Sequence, residues 1–281
     1  MIDLLICVPT YRSSKQAIRM IESLHYIDGN VLLFITGAVE DTELYTICKH
    51  AGKNVIVARS PINCNIFNQD WAVVWAINNN INPEYVCFVD DDIEFTPESK
   101  GIIQAVEDCE PFSVCALANS AIYYRNTLDK TIWLDGCGLF AKFEDCIKYG
   151  VRDSNPAAAF IFYTGIEFQH RMRYFTGKPT VANNERIYYL HHQRADKDLR
   201  EIRSEKAGDA FVYAGRFWKD KFGIELSVDP MVDRDIWEKL FELCSSEEYS
   251  AHFRKHLVFD GLWTDWEKIY KKYDVEVIYG V

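Results

Sequence analysis

With 281 residues the chain can bury a sizeable core, and its length suits one α/β domain carrying extra elements. Hydrophobic residues at 48% and charged residues at 26% exclude the disordered and fibrous classes. A net charge of −11 argues against a broad basic surface that would coat nucleic acid or an anionic membrane.

In chain order, the first half alternates strand and helix signals at short spacing. Leu4 to Val8 reads as a strand, and Ser13 to Leu24 as a helix with Ile18, Ile21 and Leu24 on one face, capped by Ser13 or Ser14. Val31 to Thr36 is a strand, Asp41 to Ala51 a helix, Asn54 to Ala58 a strand and Gln69 to Asn79 a helix. Such alternation predicts an α/β fold with a mostly parallel central sheet, right-handed crossovers and helices on both faces, a nucleotide-binding kind of architecture.

The next strand, Tyr85 to Val89, is apolar and runs into Asp90-Asp91-Asp92. A buried strand unloads charge only at its end, and in open α/β sheets the carboxyl edge is where ligands bind. Three crowded acids repel one another unless a cation or hydrogen-bond donors compensate them. A solvated acidic turn ahead of Thr96-Pro97-Glu98-Ser99 would account for the acids alone; the buried strand in front of them favours a site. Mg²⁺ or Mn²⁺ held by carboxylates and a phosphorylated ligand fits that chemistry.

The second half is less regular. Two glycines in Trp133-Leu134-Asp135-Gly136-Cys137-Gly138-Leu139-Phe140 predict a close backbone approach or a bend. Phe160 to Phe175 reads as helical, and Ile187 to Leu190 as a short strand ending in His191-His192. A charged stretch from Arg194 to Lys206 and an aromatic, basic run from Phe211 to Phe222 follow, and from Asp229 on the chain reads as acidic, aromatic helix. The expected division is 1–225 as one domain, split at about residue 100 into a nucleotide-binding and an acceptor-side half, and 226–281 as a helical C-terminal extension.

No run approaches the roughly 18 to 20 apolar residues of a membrane helix. The N-terminus carries no basic leader and passes directly into the first strand, so the sequence reads as cytoplasmic. Nine cysteines lie singly, with no CxxC pair, and Cys7, Cys87 and Cys115 read as small buried hydrophobes rather than zinc ligands or disulfides.

Taken together, the motifs resemble the inverting family-two glycosyltransferases of the GT-A fold. Val8-Pro9-Thr10-Tyr11-Arg12 is similar to the opening motif of that family, and Asn65 and Asn68 to its Asn-rich stretch. Asp90-Asp91-Asp92 stands where its Asp-x-Asp motif is expected, Trp133 to Phe140 resembles its acceptor-side Gly-x-Gly segment, and Arg216 to Gly223 its late aromatic-basic run. The resemblance spans roughly residues 3 to 225. It implies a nucleotide-diphospho-sugar donor (a UDP-sugar foremost), Mn²⁺ or Mg²⁺, and transfer of a hexosyl or pentosyl group with inversion.

The resemblance also implies roles. Pro9, Thr10, Tyr11 and Arg12 line the nucleoside pocket with Asn65, and Asp41 or Glu40 approaches the base. Asp90 faces the ribose or base and shares the metal site with Asp92, while Asp91 is a local structural residue. His191 or His192 reaches the metal or the diphosphate. Arg200, Arg203 and Lys206 read either as a solvated face or as a lid that neutralises leaving-group charge, with Arg200 on the donor.

The base departs from the family pattern, because Thr164 and Gly165 stand where an acidic pair is usual. Glu167 is the nearest surviving carboxylate and Asp135 its rival; Glu167 could equally pair with Arg171 at i,i+4. Two alternatives stay open: a sugar-1-phosphate nucleotidyltransferase, although Pro9-Thr10-Tyr11-Arg12 lacks that class's glycine, and a non-catalytic glycan-binding protein on a transferase scaffold. The acceptor could be a glycan, a lipid-linked sugar, a protein or a modified nucleic-acid base.

Overall fold

A computed structural model describes residues 2–38, 41–60, 69–117, 138–151, 168–169, 172–173, 175–183, 185–192 and 275–280. The N-terminal half builds the parallel block. Strand β1 (Leu4–Thr10) pairs in parallel with β2 (Val31–Gly37) on one side and with β4 (Tyr85–Phe88) on the other, and β2 pairs in parallel with β3 (Val55–Arg59). Helices α1 (Ser14–Ser23), α2 (Leu44–Cys48) and α3 (Asp70–Asn78) make the crossovers.

Period-two alternation divides these strands between two cores, one on each face of the sheet. Leu4, Ile6, Val8, Leu33, Ile35, Val55, Val57, Cys87 and Val89 pack with Ala17 and Met20 of α1 and Leu44 and Ile47 of α2. Leu5, Cys7, Phe34, Ile56, Val86 and Phe88 pack on the other face with Trp71, Val74 and Trp75 of α3. Helix α3 is buried from Asp70 to Ala76, in keeping with a sequence that is apolar nearly all round. Burial pushes the Cys7 and Cys87 thiols well up, and the described cysteines are all free, as expected of small hydrophobes.

Beyond β4 the sheet continues through antiparallel β7 (Leu139–Lys142), then β6 (Val114–Leu117) and β8 (Thr180–Asn183). Its order is β10-β3-β2-β1-β4-β7-β6-β8, where β10 is Glu276–Tyr279. Strand order reverses direction between β1 and β4, which makes the gap at their carboxyl ends the switch point of the sheet. A two-stranded antiparallel ribbon of β5 (Ile93–Phe95) and β9 (Tyr189–His191) stands beside that gap. Helices α4 (Ile102–Glu107) and α5 (Phe143–Tyr149) and two 3₁₀ turns, Leu24–Tyr26 and Pro97–Gly101, complete the described elements. Among the described residues no helix is long and apolar enough to cross a membrane.

Three expectations are corrected. Residues 276–279 fall in the stretch read as helical, yet they form an edge strand antiparallel to β3; alternating Glu276-Val277 and β-branched residues suit a half-buried edge. Helix α2 begins at Leu44 rather than Asp41, because the Asp41 carboxylate accepts the Glu43 amide and uses that segment as a turn. Neither Ser13 nor Ser14 caps α1 with its own hydroxyl: Ser13 donates to the Gln16 side chain at 3.1 Å, while Ser14 donates to Glu43.

Candidate functional site

The carboxyl ends of β1 and β4 separate after the Cys7–Phe88 pair, and the amide of Val89 still donates to the carbonyl of Cys7 at 3.2 Å. Pro9, which has no amide hydrogen, sits past the last β1–β4 pair, where nothing is asked of it on that side. The buried Gln69 side chain donates to the Val89 carbonyl at 2.8 Å and holds the chain just before the acidic triplet.

The three aspartates diverge from that point. Asp90 is exposed, Asp91 is 6% exposed, and the Asp92 side chain is 13% exposed. Thr10, 3% exposed, donates its hydroxyl to Asp91 Oδ2 at 2.9 Å, so both groups are engaged inside the protein. Asp90 and Asp92 instead converge with His191: one ligand atom from each lies within 4.8 Å of the others, and His191 Nε2 is 3.0 Å from Asp92 Oδ1.

The ribbon register delivers that histidine. Ile93 pairs with His191 and Glu94 with Leu190, while the His192 amide donates to the Asp92 carbonyl at 2.8 Å. The imidazole of His192 is directed elsewhere, 2.7 Å from Glu94 Oε2, a carboxylate that also lies 4.0 Å from Arg19 of α1. Two carboxylates and one imidazole are a donor set that suits a small divalent cation such as Mn²⁺ or Mg²⁺, the imidazole favouring the former.

On the β1 side the turn after Thr10 exposes a ring and a cation. The Arg12 guanidinium lies 5.2 Å from the centre of the Tyr11 ring, and Arg12 is left-handed at φ 49°. Asp41, 2% exposed, accepts the Arg12 amide at 2.8 Å and the Glu43 amide at 3.0 Å. Its carboxylate therefore shapes the turn that carries Tyr11 and Arg12. Glu43 accepts both the amide and the hydroxyl of Ser14, at 2.8 and 2.6 Å.

The glycine-bearing segment enters the site beside β4. Gly138, at φ 75°, donates its amide to the Phe88 carbonyl at 2.8 Å, and a Cβ there would collide with the Tyr189 hydroxyl. That is the close approach expected of the segment. Phe168 packs its ring edge-on against Phe88, with centres 5.5 Å apart.

Glu40, Asn65, Asn68, Asp135, Glu167, Arg171, Arg200, Arg203, Lys206 and residues 216–223 lie outside the described residues. Thr10, Tyr11, Arg12, Asp41, Asp90, Asp92, His191 and His192 gather around the switch point. Sequence reasoning missed Glu43 and Glu94: each is one acid among many on a chain with 42 Asp and Glu, and only the folding of distant loops gives it a partner.

No protein-family model matches the chain, and no curated protein matches its sequence. Solved structures do match. The chain covers 96% of itself and 92% of S. aureus TarS 1-349 at 14% identity, with a TM-score of 0.51, and the complex of TarS 1-349 with UDP superposes equally, at 12% identity. Mannosyltransferase PcManGT from Pyrobaculum calidifontis, in complex with GDP-Man and Mn²⁺, matches at 10% identity over 95% of this chain and 83% of its own, with a TM-score of 0.55. The fold is GT-A-like, shared with these solved structures.

Proposed function

We propose that the chain is a metal-dependent glycosyltransferase that moves a sugar from a nucleotide-diphospho-sugar to an acceptor hydroxyl with inversion. The observation that carries this reading is the convergence of Asp90, Asp92 and His191 at the switch point of a GT-A-like sheet. UDP in one superposable structure and GDP-Man with Mn²⁺ in another support a donor of this class.

In this reading Asp90, Asp92 and His191 hold a divalent cation, which when bound supplies positive charge against the donor's diphosphate. His192, turned to Glu94, braces the strand that carries His191. The Tyr11 ring and the Arg12 guanidinium face the nucleoside, with Asp41 fixing their turn through the Arg12 amide. Thr10 ties that turn to Asp91.

Glu167 is the proposed base, with Asp135 the rival. Phe168, next to Glu167 in sequence, packs on Phe88, two residues before Asp90, so the assignment is compatible with the described geometry. The base takes the acceptor's hydroxyl proton as that oxygen bonds to the anomeric carbon. The bond from that carbon to the diphosphate oxygen breaks, and its electron pair leaves with the nucleoside diphosphate. Arg200 is proposed to neutralise that charge.

The test is a thermal-shift panel of UDP-, GDP- and dTDP-sugars with Mn²⁺ or with EDTA, since a ligand that binds only the folded protein raises its apparent stability. One nucleotide sugar should stabilise the protein with Mn²⁺ and lose its effect in EDTA. If none binds with metal present, the reading fails.

A further inference from the structure

The turn between β1 and α1 has what many nucleotide-binding sheets use to hold phosphate: a left-handed residue, a helix N-terminus and a place at the switch point. Here those donors already face anions. The Arg12 amide donates to Asp41 Oδ2 at 2.8 Å, and the Ser14 amide and hydroxyl donate to Glu43 Oε2 at 2.8 and 2.6 Å. Both carboxylates come from the single loop between β2 and α2, where the Glu43 amide in turn donates to Asp41 Oδ1 at 3.0 Å.

We propose that Asp41 and Glu43 are built-in anions that fill the phosphate cradle of the β1–α1 turn and exclude a donor's phosphates from the N-terminus of α1. The proposal rests on the nucleotide-sugar reading and deepens it, because it makes Glu43 a specificity element. A phosphate brought to the Ser14 amide meets a carboxylate in hydrogen-bond contact with that amide, so it must displace an anion as well as shed its own water. Asp41 is 2% exposed and anchored by two amides, which leaves it no room to turn aside. What the turn still offers a donor is the Tyr11 ring and the Arg12 guanidinium, groups suited to a base or ribose.

The cradle can be opened and read without any sugar donor. Wild type, Glu43→Gln and Glu43→Ala are titrated with inorganic phosphate in EDTA at constant ionic strength, following thermal stability. Wild type should show no saturable response, Glu43→Ala should bind phosphate at least tenfold more tightly than wild type, and Glu43→Gln, which keeps an acceptor but drops the charge, should fall between them. A wild type that responds saturably to phosphate overturns the proposal, and so does a folded Glu43→Ala that gains nothing. If circular dichroism shows Glu43→Ala unfolded, Glu43→Gln decides by the same comparison. Failure of every nucleotide sugar to bind with Mn²⁺ would remove the transferase reading and leave this titration unaffected, so the two failures are separable.

Discussion

The Thr10 hydroxyl donates a 2.9 Å hydrogen bond to the Asp91 carboxylate across 81 positions of sequence. It joins the tip of β1 to the tip of β4, the two strands on either side of the switch point. The middle acid of the triplet is thereby committed to holding the site together, while Asp90 and Asp92 face His191. Neighbouring acids on one short loop have separate tasks because Asp91 and Asp92 lie in the turn between β4 and β5, which sends their carboxylates to different partners.

Thr10→Val keeps the shape of the side chain and removes the donor. A hydrogen bond to a charged group contributes about 1.5–3 kcal/mol, and the loss should lower the melting temperature by several degrees. Mn²⁺ affinity, read by calorimetry, should change less than about threefold. Asp91→Asn retains an acceptor and should be milder. Unchanged melting with lost nucleotide binding in Thr10→Val would mean that the hydroxyl is a ligand contact.

Metal-dependent donor binding should rank the acids and histidines. Asp92→Ala should abolish it, and His191→Ala should weaken Mn²⁺ binding by at least tenfold, since each removes a ligand from the convergent set. His192→Ala loses only a brace to Glu94 and should fall well short of that. Asp91→Ala should lower stability more than metal affinity. Mn²⁺ titrations that place His192→Ala at or below His191→Ala would overturn the assignment of the two imidazoles.

How much of this was legible before folding varies by residue. Asp90 and Asp92 announce themselves because charge at the end of an apolar strand has few places to go, and the parallel block follows from alternation alone. His191 and His192 are equivalent as letters; the pairing of Ile93 with His191 separates them, and register across 98 positions is invisible in one strand's composition. Thr10 reads as a pocket residue from its motif, whereas its burial and its bond to Asp91 appear only in the folded chain. The late start of α2, a helix expected from Asp41, and the edge strand at 276–279 escaped the sequence for a common reason: a segment of four or five residues has too few turns or alternations to declare its period or its ends.

Gly138→Ala tests the seam between the glycine segment and the histidine strand. A Cβ at φ 75° costs about 1–2 kcal/mol in backbone strain, and here it also strikes the Tyr189 hydroxyl, which donates to the Leu117 carbonyl at 2.7 Å. Melting temperature should fall, and Mn²⁺ affinity should fall with it, because Tyr189 lies two residues before His191 on β9. Adding Tyr189→Phe removes the nearest clashing atom but leaves the ring Cζ 2.8 Å from the new Cβ, and it leaves the strain, so stability should recover only in part. Full recovery would show that the left-handed conformation is not required.

The base is tested by separating turnover from binding. Glu167→Gln should lose about 10²–10⁴ in turnover, the usual contribution of a general base, while donor binding with Mn²⁺ is retained. Asp135→Asn should lose much less. Both variants are nearly isosteric, so the contrast isolates proton transfer from packing. The opposite pattern, with turnover lost in Asp135→Asn and kept in Glu167→Gln, would move the base to the glycine segment, which joins the site beside Phe88 through the Gly138 amide. Loss of donor binding in Glu167→Gln would instead assign that carboxylate to the donor and leave the acceptor's proton to another group.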